Sequence, residues 1–205
     1  MSSPSSPPPS TPTSTINLPH HSPGREQLRT RVVEWPRRKP RRRGAPGDIF
    51  EVPVGGKLGY IQFVYHERKG NSGHGDFVRV LPGLHKQRPA SFAELVREPE
   101  AFGVFFPAYL ECRAKQITKV GHEPLPANYE RPKAFQSSVL NPIRKKTTWF
   151  VTDAKTLTTE RVRRVTKSLR SLPLYAIVNL PALVRMMQFG WKPEYGYYLP
   201  TGEPI

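Results

Sequence analysis

Cysteine is almost absent from this chain, because its 205 residues include only Cys112. One thiol cannot close an internal disulfide, and without a partner at metal-ligand spacing it predicts no zinc knuckle. Long apolar runs are missing too, since no stretch approaches the roughly 20 consecutive apolar residues of a membrane-spanning helix. The first residues carry neither the basic nor the apolar region of a signal peptide. These absences predict a cytoplasmic protein that does not enter a membrane.

Acidic side chains are scarce as well. The chain has 16 Asp and Glu against 32 Lys and Arg, which gives a formal charge of +16 and a sequence pI near 10.3. Such an excess attracts polyanions. Hydrophobic residues make up 37% and aromatic residues 10% of the chain, values that are ordinary for a folded protein and exclude a wholly disordered or fibrous one. The position of the basic charge therefore decides what it means.

The first 24 residues contain seven serines, seven prolines and three threonines, with no Asp, Glu, Lys or Arg. Proline removes backbone donors and breaks helices. The segment also has too little apolar surface to offset the entropy lost when a chain is ordered. We predict that residues 1–24 form a disordered, partly polyproline-like tail.

Residues 25–43 form a second segment, with nine basic side chains against two acidic ones. Pro36 and Pro40 interrupt its densest part, which predicts an extended arm rather than a helix. Such an arm can lie along phosphates with sequence-indifferent affinity that falls steeply with salt, although a solvated arm that binds nothing specific explains the composition equally well. The candidate nucleic-acid or polyanion contacts are Arg37, Arg38, Lys39, Arg41, Arg42 and Arg43.

The remaining residues, 44–205, have the pattern of a single globular domain. IFEVPV and KLGYIQFVYH flank Gly55-Gly56, and a Gly-Gly pair supplies the positive φ angles of a tight hairpin. In the second run Ile61, Phe63 and Tyr65 alternate with Tyr60, Gln62 and Val64, so both faces of that strand are expected to be partly covered. FVRVL, AFGVFF, KQITKV and TTWFVTD predict further strands.

Helices are predicted at three places. Ser91 and Glu94 have the spacing of a capping box before a helix over 92–98. Residues 158–170 carry apolar side chains at helical spacing and a basic outer face. Asn179 and Pro181 are typical of a capped helix start, and Gly190 of its end. Regular structure is excluded by the prolines in GHEPLPANYERPKAF. The buried residues of the last helix are predicted to be Leu180, Leu183, Val184 and Met187.

The fold class that follows is α+β. Its β-rich N-terminal part is expected to be a curled antiparallel sheet or a small, partly open barrel, with the C-terminal helices packed on it.

Catalytic patterns are sparse. The three aspartates, Asp48, Asp76 and Asp153, lie at strand edges or loops where a bond to nearby backbone is the default role. The pairs His66–Glu67, His74–Asp76 and His122–Glu123 are neighbours in extended chain, where adjacent side chains point apart, so surface roles are favoured. The folded part lacks two histidines at the i, i+4 spacing of a zincin.

Nucleophile and nucleotide motifs are missing as well, including G-x-S-x-G and Walker A. Cys112 has basic neighbours but no evident orienting histidine, and a reactive thiol there stays open. We predict a non-enzymatic protein with no catalytic residues, no metal and no cofactor.

Aromatic residues leave two further alternatives. Tyr60, Phe63 and Tyr65 precede Arg68 and Lys69, as in a base-stacking platform, but core packing explains them better. FGWKPEYGYYLP is either a partner-binding patch or a segment that wraps the domain.

A set of ordered landmarks resembles the bacterial immunity protein 26 family of polymorphic toxin systems. The landmarks span roughly residues 47–194 and are GDIFEVPV with GYIQFV, FFP at 105–107, VGHEPLP at 120–126, TWFVTD at 148–153, LPLYAIVN, and ALVRMMQFGW reaching Trp191. The resemblance implies a small cytoplasmic α+β protein that binds and neutralises a cognate toxin, with no catalytic residues to carry over.

Three features depart from that family pattern. The tail and arm lie outside it, and Ala154 follows Asp153 where a glycine turn is expected. The basic charge is the third, because an inhibitor that fills a nuclease's cationic groove should be acidic. A toxin with an acidic surface, or inhibition away from the active site, fits the charge. The alternative function is that of a nucleic-acid-associated protein that binds phosphate backbone through residues 25–43 and its basic surface.

Overall fold

The computed structural model describes residues 44–67, 75–141 and 146–205. The predicted tail, the basic arm with its six candidate contacts, and His74 lie outside the described residues. Within these ranges the chain forms two antiparallel sheets and several short helices, with the strands concentrated in the first two thirds.

Five strands make the first sheet, in the order β4-β3-β2-β1-β5. Gly55 and Gly56 have φ angles of 54° and 78° and turn the chain between β1 and β2, so the predicted hairpin is confirmed. The strands are β1 (Asp48–Val54), β2 (Lys57–His66), β3 (Asp76–Val80), β4 (Phe102–Phe105) and β5 (Thr118–His122).

Helices cover both faces of this sheet. On one face Ile61 and Phe63 join a core cluster with Leu183 and Met186 of helix α4 (Leu180–Gln188). On the other face Tyr60 packs in a second cluster, which includes Leu95 and Val96 of α1 (Ala93–Arg97). A register shift between Phe63 and Tyr65 places Tyr65 beside Val64 in a third cluster, and not on the face of Ile61 as strict alternation predicts.

The second sheet has three antiparallel strands in the order β6-β7-β8. They are β6 (Ala134–Asn141), β7 (Lys146–Asp153) and β8 (Thr159–Val162). Neither sheet is closed on itself, so the arrangement is an open α+β fold with a β-rich N-terminal part, as predicted, and not a barrel.

A segment of extended chain at 173–178 joins the two sheets. The backbone N–H of Val178 donates to the carbonyl of Phe105 in β4 at 2.9 Å. On the second sheet, the N–H of Gln136 in β6 donates to the carbonyl of Pro173 at 2.9 Å, and that of Tyr175 donates to the carbonyl of Gln136 at 2.6 Å. We call this stretch the joining segment, because it bonds to an edge strand of each sheet.

Two predicted helices are confirmed, and α4 follows its sequence signals closely. Asn179 caps α4 by accepting a hydrogen bond from the N–H of Ala182 at 2.9 Å, and Gly190 follows the helix with a φ of 61°. Its fully buried side chains are Leu183, Met186 and Met187, whereas Leu180 and Val184 are half-buried. In the described part of the chain, no helix has the length and apolar character needed to cross a membrane.

The predicted helix over 158–170 is wrong. Its first part is strand β8, in which Val162 pairs with Trp149 of β7, so cross-strand pairing overrides helical spacing. Thr166 then accepts a hydrogen bond from the N–H of Leu169 at 3.2 Å, which starts the one-turn helix α3 (Lys167–Arg170).

Three further elements of the described residues were not predicted, and one of them is the short 3-10 helix Pro193–Tyr195. Strand β6 begins at Ala134, inside the stretch GHEPLPANYERPKAF, from which prolines were expected to exclude regular structure. His122, near the start of that stretch, belongs to β5. Helix α2 (Ala108–Arg113) follows Pro107 directly.

Gly47 controls how the chain enters β1. Its φ is +103°, and a β-carbon there would overlap the carbonyl oxygen of Glu123. We expect Gly47→Ala to lower the free energy of unfolding by about 2 kcal/mol or more, because a left-handed backbone costs an L-residue roughly 1–2 kcal/mol before the overlap is counted. Gly55→Ala is the matched control, with a φ of +54° and open space around it. Equal losses in urea denaturation would show that the Glu123 contact is unimportant.

Candidate functional site

A buried carboxylate organises one end of the first sheet. Asp48 is 1% exposed. Its oxygens accept hydrogen bonds from the Tyr109 hydroxyl at 2.7 Å and the Ala45 N–H at 3.2 Å, and they lie 2.7 Å from Lys119 Nζ and 3.0 Å from His122 Nδ1. Burial alone would raise the pKa of Asp48, but these four partners together lower it below its ordinary value. The carboxylate is therefore held in its charged form.

A second carboxylate and histidine lie at the same end of the sheet. His66 Nδ1 is 2.9 Å from Asp76 Oδ1, across the pairing of β2 with β3. The backbone N–H of Tyr109 donates to Asp76 Oδ2 at 3.4 Å. Because its hydroxyl also donates to Asp48, Tyr109 links the two Asp–His pairs.

Both histidines contact carboxylates that are not their sequence neighbours. His66 contacts Asp76, and His122 contacts Asp48. Strand register brings the partners together, as Asp48 pairs with His122 and His66 with Asp76 in the ladders. Sequence reasoning assumed isolated extended chain and missed contacts that only sheet pairing makes.

Asp153 has the local role that the sequence predicted. Its Oδ1 accepts from the N–H groups of Thr156 and Lys155 at 2.8 and 2.9 Å and from the Thr156 hydroxyl. These hydrogen bonds lower the pKa of Asp153, and the largest contribution comes from Thr156. Leu157 takes the left-handed position in this turn, with a φ of 60°, which accounts for a turn without the glycine expected after Asp153.

In residues 44–67, 75–141 and 146–205, neither His66 nor His122 has a hydrogen-bonded serine, threonine or cysteine. Cys112 is half-buried against the first core cluster. Among the same residues, no three His, Cys, Asp or Glu side chains form a group that could hold a metal ion.

A buried arginine forms a third polar cluster, which the sequence did not indicate. Arg79 is 2% exposed, and its Nη2 donates to the carbonyls of Glu98 and Val96 at 2.8 and 3.2 Å. Its guanidinium lies 5.3 Å from the ring centroid of Tyr129, and its Nε is 3.6 Å from Glu100. Burial raises the pKa of Glu100 more than the nearby Arg79 lowers it. This cluster fixes the end of α1 against the sheet.

A run of exposed basic side chains begins in strand β8 of the second sheet and continues through α3. Residues 159–170 hold five basic side chains and a single acidic one, Glu160. All five are exposed, and within the described residues none forms an ion pair with a carboxylate. We call this surface the basic face, and it consists of Arg161, Arg163, Arg164, Lys167 and Arg170.

Cations near the first sheet differ, because several of them are paired. Arg79 faces Glu100, Arg88 binds both oxygens of Glu51 at 2.9 and 3.0 Å, and Lys119 contacts Asp48. The five cations of the basic face differ from these three, because they have no carboxylate partner among the described residues.

The basic face borders an open cavity of about 570 Å³. Arg170 lies over the indole ring of Trp149, 5.7 Å from its centroid. The cavity is lined by Thr147, Thr148, Trp149, Arg161, Val162, Arg163 and Val165.

The other aromatic candidates belong to the core. Tyr60 and Phe63 are buried, and Tyr65 stacks on Phe77 with 5.3 Å between ring centroids. At the C-terminus Trp191 is 1% exposed and donates its indole N–H to Gly196 at 3.0 Å. The prediction of core aromatics is confirmed, and the last residues wrap the domain.

Comparison of the chain with protein-family models, with curated proteins and with solved structures finds no match.

Proposed function

We propose that this chain is a non-catalytic binding module that neutralises a cognate protein toxin in the cytoplasm. The observation that carries the proposal is the position of the sequence landmarks that resemble those of the immunity protein 26 family. Three of them lie at places on which the fold depends: Gly47 precedes β1, FFP connects β4 to α2, and LPLYAIVN contains the joining segment. Motifs of this kind specify a scaffold and leave its surface free to vary.

The polar clusters support a scaffold rather than a reaction centre. Asp48 and Asp76 each hold a histidine, and Tyr109 bonds to both carboxylates. These groups satisfy one another, so they stabilise the end of the sheet. Neutralisation then depends on a protein interface, for which a stable complex buries on the order of 1,200–2,000 Å².

Affinity purification of the full-length chain from its host tests this proposal. Nuclease treatment and a salt wash remove partners held through nucleic acid, since such contacts weaken steeply with salt. We expect one protein to remain at near-equal stoichiometry, to arrest growth when expressed alone and to be tolerated when this chain is co-expressed. A retained protein that is harmless alone, or no retained protein, would overturn the proposal.

The charge distribution favours a second candidate, association with nucleic acid. The basic arm at 25–43 and the basic face are both rich in arginine, which pairs with phosphate through two parallel hydrogen bonds. Binding of this kind releases counterions and is indifferent to sequence. The two candidate functions predict different partners, a protein toxin and nucleic acid. The salt dependence of binding distinguishes between them.

A further inference from the structure

We propose that the basic face is a binding site for the phosphodiester backbone of nucleic acid, separate from the basic arm. This inference rests on the second candidate function and gives it a location on the folded domain. The observation behind it is that Arg161 and Arg163 line an open cavity and that Arg164 follows them directly in the chain. None of the three has a carboxylate partner among the described residues.

Like charges held close together repel one another, and the repulsion opposes folding. Arg79, Arg88 and Lys119, near the first sheet, avoid this cost by pairing with carboxylates. On the basic face Glu160 is the sole acidic residue among 159–170, and it forms no ion pair with a described residue. A bound polyanion would supply the missing negative charge, so the face is electrostatically complementary to a row of phosphates.

The side-chain chemistry matches phosphate. Four of the five cations are arginines, whose planar fork binds phosphate oxygens in pairs and is more weakly hydrated than an ammonium group. Thr147 and Thr148 line the same cavity and are half-buried. Their hydroxyls add neutral donors of the kind that position a nucleic-acid backbone.

The environment of Trp149 predicts that the site does not recognise the bases of the nucleic acid. Arg170 lies over its ring, and a β-carbon at Gly196 would be 3.3 Å from its Cη2, so the half-buried indole is already in contact with the protein around it. A base-stacking platform needs a free aromatic face. Recognition therefore falls on the backbone, and oligonucleotides of different sequence are expected to bind with similar affinity.

Fluorescence anisotropy with the full-length chain tests the site. The probe is a labelled single strand of about 20 nucleotides, titrated at KCl concentrations from about 50 to 200 mM. In the test variant Arg161→Gln, Arg163→Gln and Arg164→Gln are combined. Losing three phosphate contacts should weaken binding at least about tenfold and reduce the slope of log K against log salt by about 2, at roughly 0.7 per contact on a single strand.

A matched control carries Lys57→Gln, Lys86→Gln and Arg97→Gln, which remove the same charge from exposed positions on or near the first sheet. We expect its affinity to stay within about threefold of the wild type, because long-range charge is screened at these salt concentrations. Equal weakening in both variants would show that net charge alone drives binding, and would overturn the site.

A third variant replaces Arg37, Arg38, Lys39, Arg41, Arg42 and Arg43 with glutamine. If only this variant loses binding, the arm is the nucleic-acid site: the second candidate function stands and the basic face is overturned. If the wild-type chain binds no probe near 50 mM KCl, the second candidate function and the basic-face site are both overturned. If poly-glutamate displaces the probe as effectively as unlabelled oligonucleotide at equal charge, the face fits an acidic protein surface and the nucleic-acid assignment is wrong.

Discussion

Asp48→Asn is expected to lower the free energy of unfolding by about 3 kcal/mol at neutral pH. The substitution keeps the shape of the side chain but removes the charge that holds Lys119, His122 and Tyr109 in place. Breaking a buried, hydrogen-bonded charge pair from one side typically costs about 3–5 kcal/mol. The lower end is expected because Lys119 is half exposed and regains water.

The same carboxylate predicts a pH dependence. The folded pKa of Asp48 lies below its ordinary value of 3.8, so its contribution is fully present above the unfolded pKa and is lost as the pH falls through the folded pKa. Urea denaturation at neutral and acidic pH should show that the difference in free energy of unfolding between wild type and Asp48→Asn decreases below about pH 4. A gap that stays constant down to strongly acidic pH would contradict the lowered pKa.

Asp153→Asn is the matched control for this experiment. Asp153 is exposed and accepts hydrogen bonds from the turn that follows it, a role that asparagine also fills. We expect a change within about 0.5 kcal/mol, as for most surface substitutions.

Phe135→Ala is expected to cost about 3–5 kcal/mol, the usual range for truncating a buried phenylalanine. Phe135 belongs to β6 of the second sheet, yet its ring centroid lies 5.2 Å from that of Phe105 and 5.7 Å from that of Phe77 in the first sheet. The ring of Tyr175, in the joining segment, is 5.5 Å away. The cavity left by this substitution would therefore open at the junction of the two sheets.

Val139→Thr on the same strand is the control, since Val139 is 60% exposed and threonine keeps the β-branched shape. We expect a change of less than about 0.5 kcal/mol. In single-tryptophan backgrounds, denaturation can be followed separately through Trp191, near the first sheet, and through Trp149, in the second. The two transitions would show whether Phe135→Ala uncouples the two sheets. A loss below about 1 kcal/mol would mean that the junction repacks around the missing ring.

Local signals predicted the elements that local geometry determines. The Gly55-Gly56 hairpin and the Asn179 cap of α4 follow from backbone angles and hydrogen bonds within a few residues, and both were found as expected. Strand β8 failed as a prediction because the spacing of Val162, Val165 and Leu169 suits a helix, while the strand that pairs with Val162 lies outside that stretch, in β7. The hydrophobic periodicity of one segment carries no information about a strand outside that segment that pairs with it.

The candidate sites divide in the same way. Asp153 was placed correctly because its partners are adjacent in the chain. The pairing of Asp48 with His122 depends on the register between β1 and β5, and no feature of either neighbourhood signals it. The arginines of the basic face were visible in the sequence as the outside of a helix. The position of Arg161 and Arg163 beside a cavity depends on β7 and β8 lying side by side.

The joining segment sets an order of assembly. Edge strands with unpaired backbone groups are templates for wrong pairing between molecules, and here β4 and β6 are each covered by residues 173–178. Those residues are synthesised after both strands, so a chain emerging from the ribosome carries two uncovered edges until residues 173–178 are made. Aggregation during synthesis should therefore be greatest in chains that stall between Asn141 and Pro173, and should fall once the joining segment is free to dock.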